Sequence, residues 1–284
     1  MSHQLLIEAA ELRERLADPA IVVMDCRFNL RVPQQGFADY LGGHIPGARY
    51  VHLDRDLAAP VTPASGRHPL PSPGEFGACL GSWGVSESSL VVAYDDVGGA
   101  IAARLWWMLR WIGHDRVALL DGGLNAWRGN DYPLGTEIPT WDPTHYVPAV
   151  VHDDWTIETA SLQAALDGGA VLLDARSRAR FEGKTEPIDA IAGHIPGARN
   201  LPFGECIDEH TAFLPPQRLA ARFEQALAGQ SDAEVIAMCG SGVTACHLLL
   251  SMELAGHARG KLYVGSWSEW IRDSARPVAT RAAD

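Results

Sequence analysis

The chain has no apolar run near the roughly 20 residues that a membrane-spanning helix needs, which excludes a helical membrane protein. Its start, Met1-Ser2-His3-Gln4 followed by Glu8, Glu11 and Arg13, lacks the basic-then-apolar layout of a secretory signal. Cysteine is sparse. Cys26, Cys79, Cys206, Cys239 and Cys246 are five in number, scattered, and form no C-x-x-C pair. That pattern argues against a disulfide framework or a structural zinc site and fits a reduced, cytoplasmic setting. Positive charge is also short. Lys and Arg total 23 against 35 Asp and Glu, a net charge of −12, so a nucleic-acid backbone is not the expected main partner. What is present is ordinary globular material: 284 residues, 47% hydrophobic and 20% charged, which suits about two domains with buried cores.

The strongest positive signal is an internal repeat. Gly43-His44-Ile45-Pro46-Gly47-Ala48-Arg49 returns letter for letter 150 residues later as Gly193-His194-Ile195-Pro196-Gly197-Ala198-Arg199. An apolar strand ending in Asp-x-Arg precedes each copy, with Asp25 and Arg27 in one and Asp174 and Arg176 in the other. A second apolar strand follows each, over 91–94 and 235–238, then a Gly-containing turn and a helical pattern. A repeat this long means duplicated domains, not a solenoid of short units. The expected division is 1–135, a proline-rich linker over 136–154, and 155–284. Helices are expected over 8–16, 100–112, 216–228 and 243–255. Strands alternating with helices imply an α/β fold, each domain a mainly parallel sheet flanked by helices, with ligands at the carboxyl ends of the strands.

A duplicated fold with one active site carries its chemistry where the copies differ. Matching the strands 91–94 and 235–238 sets Asp95 opposite Cys239. The second copy continues Cys239-Gly240-Ser241-Gly242-Val243-Thr244-Ala245 into a helix. Small residues let successive backbone N–H groups point inward, and the helix adds its positive end. Both favour an anion, so Cys239 is expected to be a low-pKa nucleophile, with Ser241 and Thr244 as hydroxyl donors. The first copy, with an acid and no nucleophile there, is expected to be catalytically silent. Features present in both copies (Asp25/Arg27, Asp174/Arg176, His44 and His194) are read as structural. Trp106, Trp107 and Trp111 are read as packing, and Cys246 as a buried packing residue before a resolving thiol.

The Asp-x-Arg strand end, the Gly-His-Ile-Pro-Gly-Ala segment, the cysteine loop and Gly265-Ser266-Trp267-Ser268-Glu269-Trp270 together resemble the tandem rhodanese-type sulfurtransferases. The loop resembles that of the mercaptopyruvate-using members; thiosulfate users carry basic residues directly after the cysteine. The resemblance implies a Cys239 persulfide, formed from 3-mercaptopyruvate or thiosulfate and passed to a thiol such as thioredoxin or to cyanide, with no cofactor and no metal. It implies that Arg180 and the loop residues Gly240, Gly242, Val243, Thr244 and Ala245 bind substrate. It also implies a proton relay of Asp54, His68 and Ser241. A second substrate arginine of the family is missing: the segment reads Glu186-Pro187-Ile188-Asp189, with Ile188 or Asp189 at its place. A phosphatase of the Cys-x5-Arg type is disfavoured, because Ala245 stands where the arginine would be. A persulfide carrier that does not turn over is a further alternative.

Overall fold

The apolar strands predicted from the sequence are the interiors of two five-stranded sheets. The computed structural model of the protein describes residues 4–280. The first sheet contains β1 (Leu6–Ile7), β2 (Ile21–Asp25), β3 (Arg49–Tyr50), β4 (Leu90–Tyr94) and β5 (Val117–Leu120), in the order β1-β5-β4-β2-β3. The second contains β6 (Thr156–Ile157), β7 (Val171–Asp174), β8 (Arg199–Asn200), β9 (Val235–Met238) and β10 (Lys261–Tyr263), in the same order, β6-β10-β9-β7-β8. Every ladder pairing in both sheets is parallel. Parallel strands are covered on both faces, which is why they read as near-continuous Val, Ile, Leu and Ala. The predicted helices are present, slightly shorter at their ends: Ala9–Arg15, Ala102–Trp111, Pro216–Leu227 and Thr244–Leu254. Among the described residues no helix is long and apolar enough to cross a membrane.

The chain forms two compact units, and neither is an uninterrupted stretch. The first runs to Ala59 and takes in Leu70–His152 and Asp208–Phe213. The second takes in Pro60–Pro69, Asp153–Ile207 and the chain from Leu214 onward. The proline-rich stretch is held along the first unit: Thr144 N–H donates to Gly81 O (2.9 Å), and Tyr146 is buried with its hydroxyl 3.1 Å from His114 Nδ1. The first core gathers Leu12, Val23, Ile45, Val92, Leu120 and Trp127; the second gathers Leu162, Leu172, Ile195, Ile236, Met238 and Trp267.

The shared Asp-x-Arg motif is a latch. Arg27 grips Asp25 through Nε and Nη2, with a closest approach of 2.6 Å, and Nη2 also donates to Gly43 O (2.8 Å). Arg176 repeats this on Asp174 (2.7 Å) and Gly193 O (2.7 Å). Each latch ties the end of a strand to the turn that opens the Gly-His-Ile-Pro-Gly segment. The two histidines lie against their own repeats: His44 Nδ1 is 2.7 Å from Tyr40 O, and His194 Nδ1 is 2.7 Å from Phe181 O. Each ring stacks on the neighbouring aromatic, Tyr40 or Phe181. Trp106, Trp107 and Trp111 are buried along one helix.

At the end of β4, Asp95 is fully buried. Its Oδ1 accepts N–H bonds from Val97 (2.9 Å) and Gly99 (2.8 Å), and its Oδ2 from Ile101 (2.8 Å) and Ala102 (2.9 Å). Burial pushes this carboxyl up; the four donors pull it back, and the net displacement is upward. The loop is therefore a ring of N–H groups closed on an acceptor. Asp95→Ala leaves those donors without it and should cost the first unit about 3 kcal/mol or more. The check is a lower urea midpoint for the unfolding of that unit.

Candidate active site

Cys239 follows β9, the central strand of the second sheet, and the helix Thr244–Leu254 begins five residues later. The segment between them has no room for a side chain at one position. Gly242 has φ +75°, and a Cβ there would lie 2.6 Å from Val264 O. The loop is pinned from the side by the Gly265–Trp270 motif. Ser266 Oγ accepts the Cys239 N–H (3.1 Å), Trp267 N–H donates to Cys239 O (3.0 Å), and Ser268 N–H donates to Gly240 O (2.9 Å). Ser266 has φ +52°, a left-handed conformation rare for a non-glycine residue, which supplies a reason for this motif beyond packing. Cys239 and Ser241 are 2% and 5% exposed; Val243 and Ala245 are buried, and Thr244 is half-buried.

The other cysteines have different surroundings. Burial pushes the Cys79 thiol up to about 12 and the Cys206 thiol up to about 11. Burial, with Asp95, Asp25 and Asp56 nearby, pushes Cys26 well above its ordinary value. Cys246 is buried and donates from Sγ to Gly242 O at 3.3 Å. All five cysteines are free.

His68 belongs to the second unit, with the segment Pro60–Pro69. Its Nδ1 lies 2.7 Å from Ser241 Oγ, and both side chains are buried. The segment is seated by three contacts: Arg67 N–H donates to Ser268 Oγ (3.0 Å), Arg272 Nε donates to Ser65 O (3.1 Å), and a Cβ on Gly66 would lie 2.5 Å from Gly265 O. Asp54 is exposed on the helix Leu53–Asp56, which belongs to the first unit.

Arg180 projects from the helix Arg178–Phe181. Its Nε donates to both oxygens of Glu186 (3.0 Å each), and its Nη2 donates to Asp189 Oδ2 (2.9 Å). Burial pushes the Glu186 carboxyl up, but the Arg180 guanidinium and the N–H groups of Asp189 and Ile188 outweigh it and hold the group below its ordinary value. The expectation of one guanidinium at this loop needs enlarging. Arg67, which the sequence did not single out, sends Nη1 to Asp189 Oδ1 at 2.5 Å. A Cβ on Gly240 would meet Arg67 Nη2 at 3.1 Å and Arg180 Nη2 at 3.6 Å. The only signal was adjacency, since Arg67 precedes His68 in the chain. Among the described residues no group of three or more His, Cys, Asp or Glu side chains is placed to hold a metal ion.

Known proteins are similar to this chain along nearly all of its length. The rhodanese-like domain matches residues 8–130 and again 158–273. A Pseudomonas aeruginosa protein described as a probable 3-mercaptopyruvate sulfurtransferase is 47% identical over 283 residues, covering 99% of each chain. A thiosulfate/3-mercaptopyruvate sulfurtransferase of Arabidopsis thaliana is 34% identical over 292 residues, covering 94% of this chain and 84% of that one. The crystal structure of the 3-mercaptopyruvate sulfotransferase SseA from Escherichia coli superposes with a TM-score of 0.82 at 32% identity, covering 94% of this chain and all of that one. With two copies of one α/β domain, a cysteine loop in only one of them, and relatives this similar over nearly their full lengths, the chain belongs to the rhodanese-like domain family and is a tandem-domain sulfurtransferase.

Proposed function

We propose that the chain takes sulfur from 3-mercaptopyruvate onto Cys239 and passes the resulting persulfide sulfur to a thiol, such as that of thioredoxin, or to cyanide. The observation that carries this reading is the asymmetry of the two copies. Asp95 and Cys239 follow equivalent central strands, and the Asp95 carboxylate is met by four backbone N–H groups. A thiolate or persulfide anion in the second loop calls for the same treatment, so the second copy is the catalytic one and the first is silent. Five free cysteines support a reducing, cytoplasmic setting in which the thiolate persists.

The step balances without a cofactor. The Cys239 thiolate attacks the donor sulfur; an S–S bond forms as the C–S bond breaks, and the electron pair leaves as the enolate of pyruvate. Protonation of that enolate at carbon completes the release. His68 serves that proton transfer, a reading supported by the 2.7 Å between its Nδ1 and Ser241 Oγ, with Asp54 as the further relay member carried over from the family pattern. The acceptor thiolate then attacks the outer sulfur and restores the Cys239 thiolate. Arg180, with Gly240, Ser241, Gly242, Val243, Thr244 and Ala245 around the loop, holds the donor carboxylate. Thiosulfate would form the same persulfide with sulfite as the leaving group, and the second guanidinium, Arg67, favours keeping that donor as an alternative.

Cys239→Ser abolishes sulfur transfer from either donor. In the wild type without acceptor, mass spectrometry of peptides finds the added sulfur on Cys239 and none on Cys79 or Cys206, whose raised pKa values of about 12 and 11 keep them protonated at neutral pH. Arg180→Ala raises the KM for mercaptopyruvate by about tenfold or more, the scale of a lost charge-assisted hydrogen bond. His68→Asn lowers kcat with mercaptopyruvate by about a hundredfold. It spares thiosulfate, whose sulfite needs no proton on carbon; an equal loss with both donors removes His68 from the proton transfer.

A further inference from the structure

The cysteine loop faces a closed set of charges. In the second unit three arginines, Arg67, Arg176 and Arg180, meet three carboxylates, Asp174, Glu186 and Asp189, in a continuous chain of contacts. Asp174 and Arg176 form the latch, and Arg176 Nη1 lies 3.5 Å from Glu186 Oε2. Glu186 is taken by Arg180 (2.8 Å). Asp189 is the bridge: Oδ1 accepts from Arg67 and Oδ2 from Arg180. Its own N–H donates to Glu186 Oε1 (3.1 Å), which fixes the carboxylate between the two guanidinium groups.

Access within this set is unequal. The side chains of Asp189 and Glu186 are 4% exposed, against 14% for Arg180 and 26% for Arg67. Arg67 Nη2 and both terminal nitrogens of Arg180 lie within 3.7 Å of the place a Gly240 Cβ would occupy. Arg67 Nε is buried with no acceptor, so that guanidinium has hydrogen-bonding capacity to offer. An anion arriving beside Cys239 would meet N–H edges, with the carboxylates behind them. The set as a whole carries no net charge while all six groups are ionised.

We propose that Asp189 is a positioning residue that tunes the site to the charge of the sulfur donor: it holds Arg67 and Arg180 side by side at Gly240 while cancelling one of their charges, which shifts the balance between donors away from a dianion and toward a monoanionic carboxylate. This rests on the reading that Cys239 takes sulfur from an anionic donor at this loop. The electrostatic consequence has a definite sign. Coulomb energy scales with ligand charge, so a change of one unit in the site's charge is felt about twice as strongly by a dianion as by a monoanion. Asp189→Asn keeps the size and one acceptor oxygen and adds one unit of positive charge. Arg67→Gln removes one.

The experiment measures kcat and KM for mercaptopyruvate and for thiosulfate, with cyanide as acceptor, for the wild type and for Asp189→Asn, Asp189→Glu and Arg67→Gln. The ratio of kcat/KM for thiosulfate to that for mercaptopyruvate should rise about tenfold in Asp189→Asn and fall about tenfold in Arg67→Gln. Asp189→Glu should keep the wild-type ratio. The changes should lie mainly in KM and shrink as salt is added. A ratio that stays constant, or moves the same way in Asp189→Asn and Arg67→Gln, overturns the inference, because a purely structural role lowers both donors in parallel. A wild type that prefers thiosulfate outright overturns the mercaptopyruvate reading instead. It leaves the role of Asp189 standing, because that role is read from the change between wild type and variant.

Discussion

A negative charge buried at the mouth of a parallel sheet must be met by donors that need no reorganisation, and here the donors are backbone N–H groups. The first unit displays the solution with Asp95, whose two oxygens take four such bonds where β4 gives way to its helix. Even so, burial raises the carboxyl on balance, which measures how hard an anion is to keep at that depth. The requirement dictates much of what surrounds it. The strand behind must be interior, and the turn that follows must curl so that its N–H groups and those opening the helix face the anion. The second unit offers a similar frame around Cys239: β9 is the central strand, Gly242 passes where a Cβ would strike Val264 O, and the helix begins at Thr244. The proposed Cys239 persulfide would ask the fold to repeat in catalysis what it does in the first unit for structure.

The two latches belong to the scaffold that makes those loops possible. A buried arginine and carboxylate are costly to desolvate, and removing one partner strands the other at about 3–5 kcal/mol. Each latch also turns a nitrogen to the carbonyl of Gly43 or Gly193, so the charge pair doubles as a clip on the Gly-His-Ile-Pro-Gly turn. The second latch has further neighbours: Arg176 lies 4.6 Å from the centre of the Trp267 ring, and Trp267 N–H holds Cys239 O. The latch and the cysteine loop are thus continuous in the second unit, through contacts that the repeat alone would not reveal.

Local patterns made most of this legible from the sequence. Strands buried on both faces read as apolar runs, the duplicated heptapeptide announced two copies, and the contrast of Asp95 with Cys239 singled out one cysteine of five. Helix ends moved by one or two residues, since the turn after Asp95 spends its first N–H groups on the carboxylate before regular helix begins at Ala102. Arg67 could not be read in this way. Its part depends on the ten residues Pro60–Pro69 packing into the second unit, a long-range choice fixed by Gly66 against Gly265, Ser65 against Arg272 and Arg67 against Ser268. The same packing brings His68 to Ser241.

Net charge is a weak guide to an anion site when opposite charges differ in depth. The chain carries −12, and the arginine–carboxylate set beside the loop sums to zero. Neither total describes what an anion would meet at this loop. Coulomb interactions weaken with distance and with solvent screening, so the nearest and least buried groups dominate. Those are the edges of Arg67 and Arg180, while Glu186 and Asp189 lie behind them, their oxygens already committed to N–H donors. The buried carboxylates keep the guanidinium groups rigid and close together despite their mutual repulsion, which free arginines on a surface would not tolerate. An acidic protein can in this way present a fixed cationic edge to a small anion, with a strength set by the number of carboxylates placed behind it.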